Sequence, residues 1–363
     1  MSELVLVLDT SPTSVELQVF ETEGMILRWA LMVQGIGAMP HFIAQDGWRQ
    51  PLAGQDWPEA EALADHHAAL LAIFDGFQRV AGSRRVVAIG HRLGHADTEV
   101  PGPILIDAAV LRHLERALPE AREGRAHSLA GLRAATALFP EVPQIACFET
   151  DFHLRQHPEP DGRAGPARGR VRPSKGHGAH GLSHEYVWRR LAAEDPALAR
   201  GRIVVAHLDQ AASLCAMRAG RSLDSVAIES WETPPAACAC TDAVPDGPQR
   251  PEADCRIETA EALSAFVWRT RREIGALVAV LGGLDALVFT GEVGEQSAAM
   301  RAAIGRSLGC LGITVDPRRN AAGTAEIGRI GAPARVLVRR SDKARMVAEH
   351  VLEILPVGQR AAA

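Results

Sequence analysis

Leu4-Val5-Leu6-Val7-Leu8-Asp9, followed by Thr10-Ser11-Pro12-Thr13-Ser14 and then by Val15 to Phe20, decides how this chain is read. The first run is apolar until it ends in an acid, the middle is a turn rich in hydroxyls, and the last run alternates. A buried strand and a half-buried strand joined in this way make a hairpin. Hydroxyl turns at the end of a buried strand can hold phosphate or a metal-bound water, although most are only turns. The same order returns later: Arg202 to Ala206 reads as a buried strand, His207-Leu208-Asp209-Gln210-Ala211 as a polar turn, and Ser213 to Met217 as a returning strand. Two such openings, each followed by helices and another strand, predict duplicated α/β domains facing one cleft.

Composition is consistent with two cores. At 363 residues the chain exceeds the usual single-core limit, and 47% of it is hydrophobic, without an apolar segment long enough to span a bilayer. Met1-Ser2-Glu3-Leu4 has no basic stretch and the apolar run stops at Asp9, so no signal peptide and a cytoplasmic location are expected. The net charge of −5 and the lack of a basic block argue against nucleic acid or a membrane as partner. Lys175 and Lys343 are the only lysines among 39 Lys and Arg residues. A phosphate clamp must therefore use arginine, backbone N–H groups or metal rather than a Walker lysine. Cys147, Cys215, Cys238, Cys240, Cys255 and Cys310 are scattered, which predicts free thiols; the spacing of Cys238, Cys240 and Cys255 is not that of a zinc finger, and no zinc is expected.

Between the two openings, Met25 to Val33 reads as a third strand, Gln34 to Pro58 as irregular surface, and Pro58 to Gly82 as an amphipathic helix. Arg85 to Gly90 is a buried strand running into His91-Arg92, where a guanidinium can bind an oxyanion or form a structural ion pair. Asp107 to Leu118 and Ser128 to Phe139 read as helices, and Gln144 to Phe148 as a strand delivering Glu149-Thr150-Asp151-Phe152-His153. Pro158 to Lys175 reads as a loop. His177-Gly178-Ala179-His180-Gly181-Leu182-Ser183-His184 then leads into a helix from Gly181 to Ala193, for which Ser183 is the expected cap. Imidazoles beside free helix N–H groups suit an anion, a solvated cap or a metal cluster. Trp231 to Asp254 shows no periodicity. Ala260 to Leu281 is a long helix, Ala286 to Thr290 a buried strand, and Gly291-Glu292-Val293-Gly294-Glu295-Gln296-Ser297 a glycine turn into a helix from Ala298 to Leu308. Arg335 to Val338 is a strand and Asp342 to Ile354 a closing helix.

Five of these stretches, in this order, resemble the acetate and propionate kinase family of the sugar-kinase and actin superfamily: Gly90-His91-Arg92, Phe148 to His153, His180-Gly181-Leu182-Ser183-His184, His207-Leu208 and Phe289 to Ser297. The resemblance runs from Leu4 to about Ile354 and is weakest between Ser225 and Glu258. It implies two ribonuclease H-like domains of the actin type around a central cleft, one spanning residues 1–148 with the closing helix 344–363, the other a nucleotide-binding domain over residues 149–343. It also implies reversible transfer of the ATP γ-phosphoryl to a short-chain carboxylate, giving an acyl phosphate, with Mg²⁺ and ATP or ADP bound and a homodimer as the assembly. Carried over by position, Arg92 binds the carboxylate or the moving phosphoryl, His180 hydrogen-bonds that phosphoryl, and Glu149 orients substrate and metal. His153 joins Arg92 in binding substrate, Asp9 lies near the magnesium, and Ser14 matches a hydroxyl of the opening turn. His207, Asp209, Gln210 and Ala211, with Gly291, Glu292, Val293, Gly294 and Glu295, line the nucleotide.

The chain departs from the family pattern at the site. Asp209-Gln210-Ala211 stands where the family has a glycine-rich phosphate turn, and no arginine appears near Cys240-Thr241-Asp242. Lys343 or Ala344 takes the place of a glutamate that helps hold magnesium. Pro12 and Glu292 replace a serine and a glycine. Each lost transition-state donor costs on the order of a hundred- to a thousandfold in rate. The alternative is therefore a catalytically degenerate kinase fold that binds nucleotide, carboxylate or a protein partner without turnover. Asp9, Glu149 and Asp209 together could restore a magnesium site.

Overall fold

The computed structural model describes residues 3–52, 63, 65–94, 102–116, 124–154, 180–209, 211–228 and 252–355, with side chains described from 127 to 153 in the segment 124–154 and from 261 in the last. The chain divides into two compact units, 1–154 with 342–363 and 155–341, against an expected boundary after residue 148.

In the first unit the opening hairpin is present as β1 (Leu4–Ser11) and β2 (Ser14–Glu21), continued by β3 (Ile26–Gln34) and β4 (His41–Asp46). Then come α1 (His66–Ala81), β5 (Val86–Leu93), β6 (Ile104–Leu105), α2 (Ala108–Arg116), α3 (Gly124–Leu138), β7 (Gln144–Phe148) and the short α4 (Asp151–Leu154). The sheet order is β4-β3-β2-β1-β5-β7-β6. β1, β2 and β3 form an antiparallel meander, and β5 and β7 run parallel to β1.

The continuous apolar run of β1 has a physical cause. Leu4, Leu6 and Leu8 join the core under α1 and α3, whereas Val5 and Val7, equally buried, alternate to the opposite face. Against β1 and β5 packs the closing helix, which begins at Lys343 and is capped by Asp342, whose carboxylate accepts from the Arg345 amide. The fit on β5 is tight: a Cβ at Gly90 would meet Val347 at 2.6 Å and Val351 at 2.7 Å. α1 likewise begins at a carboxylate cap, Asp65, bonded to the Ala68 amide, later than the expected start at Pro58; residues 53–62 lie outside the described set. The expected irregular surface after Gln34 contains β4, which pairs along the outer edge of β3.

The second unit repeats the arrangement. α5 (Gly181–Glu194) precedes β8 (Arg202–His207), β9 (Ala212–Arg218) and β10 (Arg221–Ile228). After these come α6 (Glu252–Leu281), β11 (Ala286–Thr290), α7 (Gly291–Gln296), α8 (Ala298–Gly305), α9 (Pro317–Ala321) and β12 (Arg335–Val338); the closing helix is α10 (Lys343–Ile354). The sheet order is β10-β9-β8-β11-β12, again a meander of three strands with β11 parallel to β8 and β12 parallel to β11. Its core runs from Val204, Ala206 and Leu214 through Leu287 and Phe289 to Ile274, Leu277 and Leu281 of α6. The shared strand order makes the two halves a duplicated ribonuclease H-like fold of the actin type. α6 starts earlier than the expected Ala260, and β10 lies in a stretch for which no strand was expected. The remainder of Trp231–Asp254 and the loop 158–175 lie outside the described residues. No helix among the described residues is long and apolar enough to cross a membrane.

Candidate active site

In the first unit the expected site residues Asp9, Arg92 and Glu149 lie at the C-terminal ends of the parallel strands, where open α/β sheets place their ligands. Asp9 of β1 and Arg92 of β5 are cross-strand partners in the parallel register, and Glu149 follows the last residue of β7. Strand pairing therefore delivers a guanidinium between two carboxylates. Arg92 Nε donates to Glu149 Oε1 at 2.5 Å and Nη1 donates to Asp9 Oδ2. Burial opposes the charge on Arg92, but Glu149 and Asp9 together outweigh it and hold the guanidinium charged, its pKa raised above the ordinary value. The arginine side chain keeps 27% of its surface exposed, Asp9 30% and Glu149 9%. Lys343 Nζ lies 3.9 Å from Glu149 Oε1, so that oxygen sits between two cations. Glu16, opposite Asp9 on β2, is pushed toward its neutral form chiefly by burial, with Asp9 adding to the effect.

The carboxylate oxygens present suit a hard divalent cation. Asp9 fits best, because its second oxygen makes no hydrogen bond among the described residues and the side chain is part-exposed. Glu149 is the less available ligand, with Oε1 already shared between Arg92 and Lys343.

Two other expected residues belong to this unit. Ser14 pairs its hydroxyl with that of Ser11 at 2.7 Å across the β1–β2 turn. His153 is buried on α4, its ring edge-on to Phe152 with centroids 5.5 Å apart. Sequence reasoning missed a stacked pair, His66 of α1 and His127 of α3, with ring centroids 4.0 Å apart and His66 Nε2 2.7 Å from the Ser11 carbonyl oxygen. Nothing local marks that pair, because the contact is tertiary.

In the second unit His180 has left-handed backbone angles, φ 59° and ψ 29°, and is itself the N-cap of α5. Ser183, the expected cap, lies inside the helix. Its hydroxyl is 2.8 Å from His207 Nδ1 at the end of β8, because a fully buried serine must find a partner and that ring is adjacent. The His180 ring lies against that of His207, centroids 4.2 Å apart, with Nδ1 2.9 Å from Ser213 Oγ. His184, one turn further along, places Nε2 3.0 Å from the same oxygen. His177 lies outside the described residues.

The glycine turn after β11 is helical, as α7. Its Val293 and Gly294 amides donate to the Leu208 carbonyl at 3.0 and 3.2 Å, which ties it to the turn after β8. Gly291 has φ +78°, and a Cβ there would meet the Leu208 carbonyl oxygen at 2.6 Å. Glu295 folds back so that Oε1 accepts from the amides of Gly291 (3.1 Å) and Ser341 (3.0 Å). Burial nevertheless raises its pKa despite these bonds. Glu292 and Ala211 are exposed and Asp209 is half-buried, while Gln210 lies outside the described residues. A second residue missed from sequence, Arg301 of α8, is 1% exposed and clamps the turn from beneath. Its Nη1 donates to the carbonyls of Gly294 (2.9 Å) and Glu295 (2.8 Å), and its Nε to Asn320 Oδ1 (2.8 Å).

Comparison with known proteins identifies the family and the fold. The chain is 33% identical to an acetate kinase of Nitrobacter hamburgensis, with 97% of this chain and 96% of that protein aligned. It is also 33% identical to an acetate kinase of Rhizobium meliloti, over 97% and 98%. Its fold is that of a propionate kinase from Francisella tularensis, with a TM-score of 0.77 at 21% identity over 97% of this chain and 100% of that one. With its profile matched over residues 4–228 and 248–349, the family to which this chain belongs is the Acetokinase family, a relationship that supports a carboxylate kinase.

Proposed function

We propose that the chain is an acetate-kinase-like phosphotransferase that moves the γ-phosphoryl of ATP reversibly to a short-chain carboxylate, giving an acyl phosphate and ADP. A carboxylate oxygen forms the new P–O bond as the bridging P–O bond to the β-phosphate breaks, and the electron pair leaves with ADP. Such transfer needs positioned positive charge more than covalent help. The observation that carries this reading is the state of Arg92. Its Nε and Nη1 are anchored by Glu149 and Asp9, while Nη2 makes no hydrogen bond among the described residues and keeps its donors for an oxyanion. His180 donates a hydrogen bond to the moving phosphoryl, and His153 supports substrate binding. The turn His207–Ala211 and residues Gly291–Glu295, all in the second unit, line the nucleotide. Asp9, with Glu149 as the less available second ligand, would hold Mg²⁺, which when bound would neutralise charge on the phosphate oxygens. The protein works in the cytoplasm as a homodimer.

One observation favours a second reading. Lys343 places an ammonium beside Glu149, where binding a divalent cation has to overcome repulsion. A degenerate kinase fold that binds without turnover accommodates that. Hydroxamate trapping of acyl phosphate with Mg·ATP and acetate, propionate or butyrate, beside isothermal titration with Mg·ATP, separates the two. Hydroxamate formation supports the kinase, binding without product supports the second reading, and absence of binding refutes the first.

A further inference from the structure

Ser213, at the second position of β9, is 1% exposed and sits between two imidazoles. Its register partner on β8 is His207, so strand pairing alone carries its hydroxyl to the end of the sheet where the polar turn begins. There it meets His180 Nδ1 at 2.9 Å and His184 Nε2 at 3.0 Å. A serine hydroxyl has one hydrogen to give and two lone pairs to offer. Donation from both rings at once would leave the buried serine hydrogen without an acceptor among the described residues, so the heavy atoms admit two directions of donation. Either His184 Nε2–H donates to Ser213 and Ser213 donates to His180 Nδ1, or both bonds run the other way. The first leaves the hydrogen of a neutral His180 on Nε2. The second leaves a bare lone pair there, which repels an oxyanion.

We propose that Ser213 is a positioning residue that holds His180 in the Nε2–H tautomer, relaying the direction of donation from His184. The inference rests on the role given to His180 under the proposed function and deepens it. The backbone gives independent support. His180 is a non-glycine residue with left-handed angles at a helix N-cap, a conformation that persists only where the surrounding structure holds it. Its side chain makes no capping bond to its own helix. The ring is instead turned onto Ser213, and the helix keeps its register through the His184 amide, which donates to the His180 carbonyl at 3.0 Å. His207, its ring tilted against that of His180 with centroids 4.2 Å apart, is held at its own Nδ1 by Ser183. Each of these two neighbouring rings therefore has a serine at Nδ1.

The test uses the full-length protein. Nitrogen-15 NMR of the histidine side chains should show His180 as the Nε2–H tautomer in the unaltered protein and as a mixture in Ser213→Ala. Loss of a group that orients a functional imidazole typically costs roughly ten- to a hundredfold. Ser213→Ala should lower kcat for acyl hydroxamate formation by about that factor and leave both KM values within about twofold. Ser213→Thr, which keeps the hydroxyl, should recover most of the rate. Thermal melting of each variant reports folding, and the NMR measurement on the unaltered protein stands even where a variant is unstable. His180 carrying its proton on Nδ1, or an unchanged kcat in Ser213→Ala beside an inactive His180→Ala, overturns the proposal. Wild-type turnover in His180→Ala is a different result: it removes the role of His180 on which the proposal rests.

Discussion

Replacing Arg92 by lysine tests the central geometry, because it keeps the charge and removes the fork. Arg92 spans a carboxylate on β1 and another after β7, each bonded to a different nitrogen of one planar group. A lysine ammonium is a single point that serves one of them well. The neglected carboxylate loses a charge-assisted hydrogen bond, which is worth about 1.5–3 kcal/mol. Glu149 suffers more than Asp9, because its side chain is 9% exposed and water reaches it poorly. The rate should fall further than stability does. Without the anchored fork, Nη2 and its preorganised donors are gone, and removing such a donor costs roughly 100- to 1,000-fold. Initial rates of acyl hydroxamate formation at saturating Mg·ATP and carboxylate measure the first effect; urea unfolding followed by tryptophan fluorescence measures the second. An Arg92→Lys protein with kcat within about threefold of the unaltered enzyme refutes the reasoning, since a point charge would then suffice.

Three further outcomes follow from the same structure. His91 is buried against Gln144, its Nε2 2.6 Å from Oε1, and burial lowers its pKa from the ordinary 6.5 to about 4. The unfolded chain takes up that proton first, so stability should fall as pH drops from about 6.5 to 4, by on the order of 3 kcal/mol, and His91→Gln should flatten this limb of a pH series of urea unfolding curves. Gly291→Ala puts a Cβ 2.6 Å from the Leu208 carbonyl oxygen at φ +78°; it should destabilise the fold by at least about 1 kcal/mol and weaken Mg·ATP binding in isothermal titration. Arg301→Met keeps the volume but strips donors from the Gly294 and Glu295 carbonyls and from Asn320, and should lower stability by about 3 kcal/mol, read as a drop in the urea midpoint together with weaker nucleotide binding.

What could be read from sequence follows the strength of the local signal. β1 was legible because burial on both faces leaves its residues apolar, and the acid that ends it marks where the strand reaches water. β4 and β10 were not: His41, Gln45 and Asp46 in one, and Arg221, Ser222, Asp224 and Ser225 in the other, break the apolar pattern in strands that lie at sheet edges. The start of α6 was missed because Glu252 to Thr259 is mostly polar and carries no apolar period. Ser183 looked like a cap because it precedes a periodic run, yet it lies inside a helix that starts at the expected Gly181, and the cap is His180, whose left-handed backbone no propensity predicts. Arg92 and Glu149 were each visible as polar residues ending apolar strands, but not the bond between them.

The amino-acid order by itself determined the two repeated hairpins, the buried parallel strands and the motif order that places the chain in its family. These depend on periodicity and on residues adjacent along the chain, which burial imprints directly. Only tertiary structure decided the bonding of Arg92 to Asp9 and Glu149, the Ser213 contact to two imidazoles and the arginine clamp under the glycine turn. Such contacts join residues far apart in the chain through strand register and helix packing, and a side chain leaves no trace in sequence of the partner it will meet.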